Sequence, residues 1–193
     1  MTLSKTTLPK LLTPLLLLSA VACYEKDDTG DTADSTVDTG TPAAVDLSSL
    51  DREIGCSDLY MSRYASDGSL LLEASTTSEG LTETAFNASD KTATLSVNLA
   101  TESTGQVQLH QGVDLHLYPC DDVIEETEEI THTWTATSGT LEFTVVSDGT
   151  SSGPEYPGEA TVTLTGVVVT DADGASLSIP DSTWTGSVGW LPG

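Results

Sequence analysis

Apolar and polar residues alternate with a period of two through much of the chain, and this pattern constrains the fold more than any other feature. Every second residue at 92–99 is apolar, and the residues between them are Thr, Ser or Asn. The alternation recurs in four later segments: 131–137, 141–145, 161–168 and 183–190. Because successive side chains of a strand point to opposite faces, the pattern predicts half-buried antiparallel strands, apolar inside and hydroxylated outside.

Turn residues between these segments predict how the strands are joined. Asp67-Gly68, Ser138-Gly139 and Asp173-Gly174 each separate two strand-like segments, as in hairpins. Within 161–168, Val162, Leu164 and Val168 are predicted on the buried face. No window predicts an amphipathic helix, and 121–130 is the one candidate for a short helical or loop insertion. We therefore expect an all-β domain of about eight to ten strands, an antiparallel β-sandwich with a meandering β-barrel as the alternative.

The sequence divides into three parts by composition. Residues 1–22 have Lys5 and Lys10 near the start, an apolar run and a small-residue exit, which is typical of a signal peptide. The apolar run is shorter than the about 20 residues that span a bilayer. Residues 23–45 are rich in Asp, Thr, Gly and Ser and predict a disordered linker, and 46–193 form the β domain.

The end of the leader carries a family resemblance. Leu18-Ser19-Ala20-Val21-Ala22-Cys23 resembles the lipobox of bacterial lipoproteins, with Ala20 where Leu is usual. The resemblance implies cleavage before Cys23, diacylglycerol on its thiol and a membrane anchor. Tyr24 replaces the Asp that retains enterobacterial members in the inner membrane, so the outer membrane is the expected destination. The alternative is ordinary signal-peptidase cleavage after Ala22.

The number of cysteines agrees with lipid attachment at Cys23. The chain has three cysteines, and an odd number in an exported protein leaves one to be explained. If Cys23 carries lipid, Cys56 and Cys120 remain as a pair. An oxidising compartment then predicts a disulfide between them.

The acidic linker resembles the Asp-Thr-Gly-rich tethers that follow the lipid cysteine in some envelope lipoproteins. Its two Asp-Thr-Gly triplets also match the triplet of aspartic proteases, whose two carboxylates share a proton. That chemistry needs each triplet in a tight loop braced by apolar strands. Asp28 instead follows another aspartate in a tract with almost no apolar residues, so the protease is rejected.

Charge excludes further partners. The chain has 30 acidic and 6 basic residues and a net charge of -24, which repels nucleic acid and anionic lipid. Removal of 1–22 leaves 30 acidic and 4 basic residues, a charge of -26. The β domain alone has 24 acidic residues beside Arg52, Arg63 and Lys91, a charge of -21. Self-repulsion of that size suggests surroundings with divalent cations or high salt.

Three groups of residues contain side chains that can bind a metal ion. His110, Asp114 and His116 share one strand face, but positions six apart on a strand are about 20 Å apart. We therefore expect them on a solvated face, and His132 as a hydrogen-bonded residue at a strand end. Calcium suits the acid excess better. Its candidates are the loop start Asp171-Ala172-Asp173-Gly174, which has Ser182 where the bidentate Glu should stand, and the acidic cluster at 121–129.

No residue pattern predicts catalysis. The chain lacks a Gly-x-Ser-x-Gly elbow, a phosphate loop and a His-Glu-x-x-His pair, and disulfide-bonded cysteines cannot be nucleophiles. Thr-x-Thr runs at 131–137, 161–165 and 183–185 suggest a flat hydroxyl array, as in proteins that bind ice or crystalline polysaccharide. We expect an envelope lipoprotein with a non-catalytic binding or structural β domain, no cofactor, and a protein or polysaccharide partner left open. The alternative is a small secreted hydrolase with carboxylate chemistry.

Overall fold

The computed structural model describes residues 45–78, 80–117, 119–120, 127–151 and 156–189. The predicted signal peptide, Cys23 and the linker up to residue 44 lie outside these residues. A 3-10 turn at Leu47–Ser49 precedes nine strands and one helix: β1 (Leu50–Cys56), β2 (Tyr60–Ala65), β3 (Leu70–Thr76), α1 (Leu81–Asn87), β4 (Thr92–Asn98), β5 (Gly105–Val113), β6 (Glu129–Ser147), β7 (Gly158–Thr170), β8 (Ser176–Ser178) and β9 (Ser182–Val188). The all-β class is confirmed, and every strand pairing is antiparallel.

All nine strands belong to one open sheet, and two separate sheets of a sandwich are not seen in the described part of the chain. The main order is β1-β2-β3-β5-β6-β7-β8, while β4 pairs with β6 and β9 pairs with β7. The two long strands β6 and β7 therefore join two portions. The first portion holds β1, β2, β3, β5 and β8 with the parts of β6 and β7 that lie beside them, and the second portion holds β4 and β9 with the remaining parts of β6 and β7.

The junction between the portions lies at irregular positions in β6 and β7. The β6–β7 register shifts between Ala136 and Thr140, and Gly139 has a φ of 106°. A side chain at Gly139 would come within 2.6 Å of the Val167 Cα atom. The hairpin expected at Ser138-Gly139 is therefore wrong: the glycine permits a β-bulge inside a continuous strand, not a turn between two strands.

The same irregularity changes which valines are buried in β7. Val167 and Val169 are buried, whereas Val168 is half-buried, so the expectation for Val168 is wrong. Val162 and Leu164 are buried as expected. One extra residue in a strand reverses the facing of every side chain after it, because the side-chain period is two.

One apolar core lies between the two portions. It contains Leu72, Leu109 and Trp134 of the first portion together with Phe143 and Trp184 of the second. The portions approach closely where β1 meets β9, since a side chain at Gly186 would come within 2.7 Å of the Gly55 nitrogen. The hairpin turns at Asp67-Gly68 and Asp173-Gly174 are confirmed, because β2–β3 and β7–β8 are adjacent antiparallel pairs.

The helix α1 was not predicted from the sequence. It has seven residues, of which Thr82 and Ala85 are buried, and this is too short for a helical period to stand out. Asp58 holds its start by accepting hydrogen bonds from the Gly80 N–H, at 2.9 Å, and from the Thr82 hydroxyl. Of the expected insertion at 121–130, residues 121–126 lie outside the described residues, and Glu129 and Ile130 begin β6.

A short segment covers the outer side of the first portion. Residues 114–117 and 119–120, here called the strap, follow β5, and the Leu115 N–H donates to the Gly68 carbonyl at 3.0 Å. The Cys56–Cys120 disulfide ties the strap to the end of β1, as expected from the cysteine count. Cys56, Leu71 and Leu115 are buried but do not belong to the main core cluster. The strap thus creates a second, smaller buried region.

Candidate functional site

The outer face of the second portion consists largely of threonine. Strand register aligns fifteen outward residues in four rows: Thr92, Val146, Glu159 and Ser187; Thr94, Thr144, Thr161 and Thr185; Ser96, Glu142, Thr163 and Thr183; Asn98, Thr140 and Thr165. Nine of the fifteen are threonine, and we call this surface the threonine face. Standard strand spacings make it about 14 Å wide and about 20 Å long.

The threonine face is open and nearly free of charge. Thr94, Thr140 and Thr185 are exposed, and threonines in the middle of the rows are half-buried by their neighbours. Hydroxyls of adjacent strands meet, at 3.4 Å between Thr94 and Thr144. Glu142 and Glu159 are its only charged residues, although the domain has 24 acidic residues. The acid excess of the chain therefore lies mostly elsewhere.

Only part of this surface was expected from the sequence. The Thr-x-Thr runs at 161–165 and 183–185 do lie side by side on it. The run at 131–137 lies instead in the part of β6 that pairs with β5. Thr140 and Thr144 were missed as members, because the pairing of β4 with β6 is a long-range contact that no local pattern reveals.

A second polar group lies on the outer side of the first portion, beside the strap. His110 Nε2 is 2.9 Å from Glu73 Oε2, and His110 Nδ1 is 3.0 Å from the Thr133 hydroxyl. The Tyr60 hydroxyl donates to the other Glu73 oxygen. His110 is only 6 % exposed, so the expectation that it lies on a solvated face is wrong. Its two ring nitrogens are both occupied by protein groups.

Glu73 was not singled out from the sequence, although a signal for it exists. It interrupts the run Leu70-Leu71-Leu72-Glu73-Ala74 of an otherwise apolar strand. A charged residue in such a position is rarely buried without a partner. The partner, His110, becomes visible only when β3 is paired with β5.

The histidine and aspartate candidates for a metal do not converge. Strand β5 ends at Val113, and Asp114 has a φ of 56°, so Asp114 and His116 leave the strand that carries His110. His116 instead approaches Gly68 in the β2–β3 turn. The described residues contain no group of three or more His, Cys, Asp or Glu side chains that would hold a metal ion.

Asp171 is hydrogen-bonded within the β7–β8 turn and to His132. Its Oδ1 accepts hydrogen bonds from the N–H groups of Ala175, at 2.8 Å, and Asp173, at 3.0 Å, and its Oδ2 is 3.0 Å from His132 Nε2. Burial alone would raise the pKa of Asp171, but the bonds from the Ala175 N–H, His132 and the Asp173 N–H outweigh it and keep that pKa below its ordinary value. The carboxylate therefore closes the β7–β8 turn, and calcium binding at 171–174 stays a hypothesis.

His132 has the hydrogen-bonded role expected for it. Besides Asp171 it contacts Trp134, with the two ring centroids 4.0 Å apart. The remaining calcium candidate, the acidic cluster at 121–129, lies mainly outside the described residues. No helix in the described ranges is long and apolar enough to cross a membrane.

The site features thus define an antiparallel β domain with a disulfide-tethered strap and a hydroxyl-rich face that carries few charges. Comparison with known proteins adds nothing to this description: no family model, curated protein or solved structure matches the chain.

Proposed function

We propose that this protein is a lipid-anchored cell-envelope protein whose β domain is a non-catalytic binding module, and that the threonine face binds an uncharged polysaccharide. The observation that carries the proposal is the alignment of nine threonines in four rows on one exposed face. Each hydroxyl can both donate and accept a hydrogen bond, as sugar hydroxyls do. A regular array of them therefore suits a polymer that repeats hydroxyl groups.

Charge supports the choice of ligand class. The mature chain has a charge of -26 on the sequence count, which disfavours an anionic polymer such as nucleic acid or an acidic glycan. Threonine is a common strand residue, but solvated sheet faces usually mix in charged side chains, which keep them soluble and block association. A face with two charges among fifteen residues, on so acidic a domain, favours contact with an uncharged surface.

The polysaccharide proposal predicts a surface-specific loss of binding. We expect the chain to be depleted from solution by an insoluble neutral polysaccharide such as cellulose or chitin. Thr161→Lys, in the centre of the face, should remove most of the bound fraction, because a long charged side chain breaks the flat array. Thr135→Lys is the matched control, since Thr135 is exposed on the first portion. The measurement is the unbound protein concentration after centrifugation.

Two results would contradict this proposal. One is the absence of depletion by every neutral polysaccharide tested. The other is an equal loss of binding in Thr161→Lys and Thr135→Lys, which would show that any added positive charge on the domain disturbs binding.

The lipid anchor at Cys23 makes a separate prediction. The wild-type protein should sediment with membranes, and its intact mass should exceed that of residues 23–193 by the attached acyl chains. Cys23→Ser should move the protein to the soluble fraction, because several acyl chains at about 0.8 kcal/mol per buried methylene supply the anchoring. Unchanged membrane partition of Cys23→Ser, or a mass without acyl chains, would rule the anchor out. Cell fractionation with an outer-membrane marker tests the destination.

One observation favours a hydrolase as the second candidate. Thr133, His110 and Glu73 form a chain of hydroxyl, imidazole and carboxylate, the order of groups that activates a nucleophile in acyl transfer. A hydrolase of this kind would lose its turnover of an activated ester in His110→Leu. The binding module has no such turnover to lose.

A further inference from the structure

A pocket of about 310 Å³ opens where the start of β1 meets the loop between β8 and β9. Its apolar lining includes Leu50, Leu72 and Ile179, all of them buried in the main core. Its polar lining includes Arg63, Asp181 and Ser182. The volume is at the lower end of the range of about 300 to 1,000 Å³ for small-molecule sites, so a small ligand fits it.

Two buried polar atoms in this lining make no hydrogen bond within the described part of the chain, although one of them, Arg63 Nε, forms an ion pair with Glu53 Oε1 at 3.5 Å. Among the described residues, neither Arg63 Nε nor Ser182 Oγ has a hydrogen-bond partner, although both atoms are buried. Arg63 is held by its Nη2, which donates to the Leu50 carbonyl at 2.8 Å. Buried donors without partners cost free energy, and a ligand that accepts hydrogen bonds from them would recover it.

Arg63 is placed unusually for this chain. It is one of three basic residues in the β domain, and it shares the core-facing side of β2 with Met61 and Ala65. A guanidinium group is suited to bind a carboxylate. Glu53 Oε1 lies 3.5 Å from Arg63 Nε, and its side chain is 39 % exposed, so it compensates the charge at the surface.

The charges around the pocket decide between kinds of ligand. Asp181 lies in the lining, held by the Gly166 N–H, which donates to its Oδ1 at 2.8 Å. With Asp181 and Glu53 beside Arg63, a plain anion would meet two carboxylates for one cation. A zwitterion avoids this conflict, because its carboxylate can face Arg63 while its ammonium group faces Asp181.

We propose that this pocket binds a small zwitterion with an apolar side chain, the chemical class of leucine and related free α-amino acids. The ligand carboxylate accepts hydrogen bonds from Arg63 and Ser182. The ammonium group lies near Asp181 at the exposed rim, and the aliphatic side chain packs on Leu50, Leu72 and Ile179. This site is separate from the threonine face and does not depend on polysaccharide binding.

Titration calorimetry on the mature chain tests the proposal with four probes. L-leucine should bind saturably at millimolar or lower concentration. Analogues that lack one charge, 4-methylpentanoate and 3-methylbutylamine, should bind about ten-fold more weakly or worse, because each loses a charge-assisted hydrogen bond. Glycine, which has both charges but no side chain, should not bind measurably, because it fills none of the apolar lining.

Variants locate the binding in the pocket. Arg63→Gln should weaken leucine binding about ten-fold or more, and Asp181→Asn should weaken it while keeping the oxygen that accepts from Gly166. Arg52→Gln is the matched control, because Arg52 is exposed on the side of β1 that faces away from the pocket. This variant should bind leucine with wild-type affinity. Melting curves confirm that each variant is folded, and the analogue series on the wild type stands whether or not Arg63→Gln folds.

Three results would overturn the zwitterion site. They are no saturable binding of leucine, binding of 3-methylbutylamine as tight as that of leucine, and wild-type affinity in a folded Arg63→Gln. None of them affects the threonine face, whose test uses Thr161 and an insoluble polymer.

Discussion

Replacing both Cys56 and Cys120 by alanine should lower the free energy of unfolding by about 4 kcal/mol. The two cysteines are 64 residues apart in sequence, and a cross-link of that length removes much conformational freedom from the unfolded chain. The double replacement also frees the strap, which carries the buried Leu115. We therefore expect part of the loss to come from exposure of this smaller buried region.

Urea unfolding followed by tryptophan fluorescence measures the effect, since Trp134 and Trp184 are buried in the main core. Reductant should shift the wild-type transition towards that of the double variant and leave the double variant unchanged. Cys23→Ser is the control, because it removes the third cysteine and leaves the disulfide intact. A wild-type transition that does not respond to reductant, with both thiols alkylated in the unreduced protein, would contradict the bridge in solution.

His110→Leu should lower the free energy of unfolding by about 2 to 4 kcal/mol, the second-largest effect that we expect. It leaves the Glu73 carboxylate, whose side chain is 13 % exposed, without its imidazole partner. The double variant His110→Leu/Glu73→Leu should regain more than half of the loss, because removing both partners leaves no carboxylate to desolvate and adds apolar surface. The expected order is therefore wild type first, the double variant second and the single variant last.

Urea unfolding of the four proteins in this double-mutant cycle gives the interaction energy directly. His132→Leu is the comparison variant. The Asp171 carboxylate that it leaves behind, 3 % exposed, keeps the N–H donors of Asp173 and Ala175, so we expect a smaller loss than in His110→Leu. If the double variant is less stable than His110→Leu, Glu73 stabilises the fold through contacts other than its pair with His110. If His110→Leu loses no more free energy of unfolding than His132→Leu, the His110–Glu73 pair does not stabilise the fold more than the His132–Asp171 pair does.

Local patterns were sufficient for much of the fold. Alternation identified the strands around Trp134, Phe143 and Trp184, and two Asp-Gly turns were correct, because pleating and turn geometry depend on neighbouring residues. Gly139 shows the limit of such reasoning. A glycine between two strand-like segments suits a turn and a bulge equally well, and the choice depends on whether β7 lies alongside.

The candidate sites depended on contacts between distant residues. The disulfide was predicted from the cysteine count together with the lipid expected on Cys23, whereas the pairing of His110 with Glu73 needed the register of β3 against β5. The hydrogen bonds of Asp171 were not predicted, because a sequence does not show which donors will reach a carboxylate. The pocket beside Arg63 combines residues from both ends of the domain, and no local signal predicts such a combination.

The sequence by itself determined the all-β class, the hydroxylated outer faces, the cysteine pairing and the acid excess, because these depend on composition and on a period of two residues. Only the tertiary structure decided that nine strands form one sheet, that threonines from four strands align on one face, and that Arg63 faces a pocket. The physical reason is strand register. A shift of one residue reverses every side chain after it, and the shifts at Ala136–Thr140 are visible only in the pairing of β6 with β7.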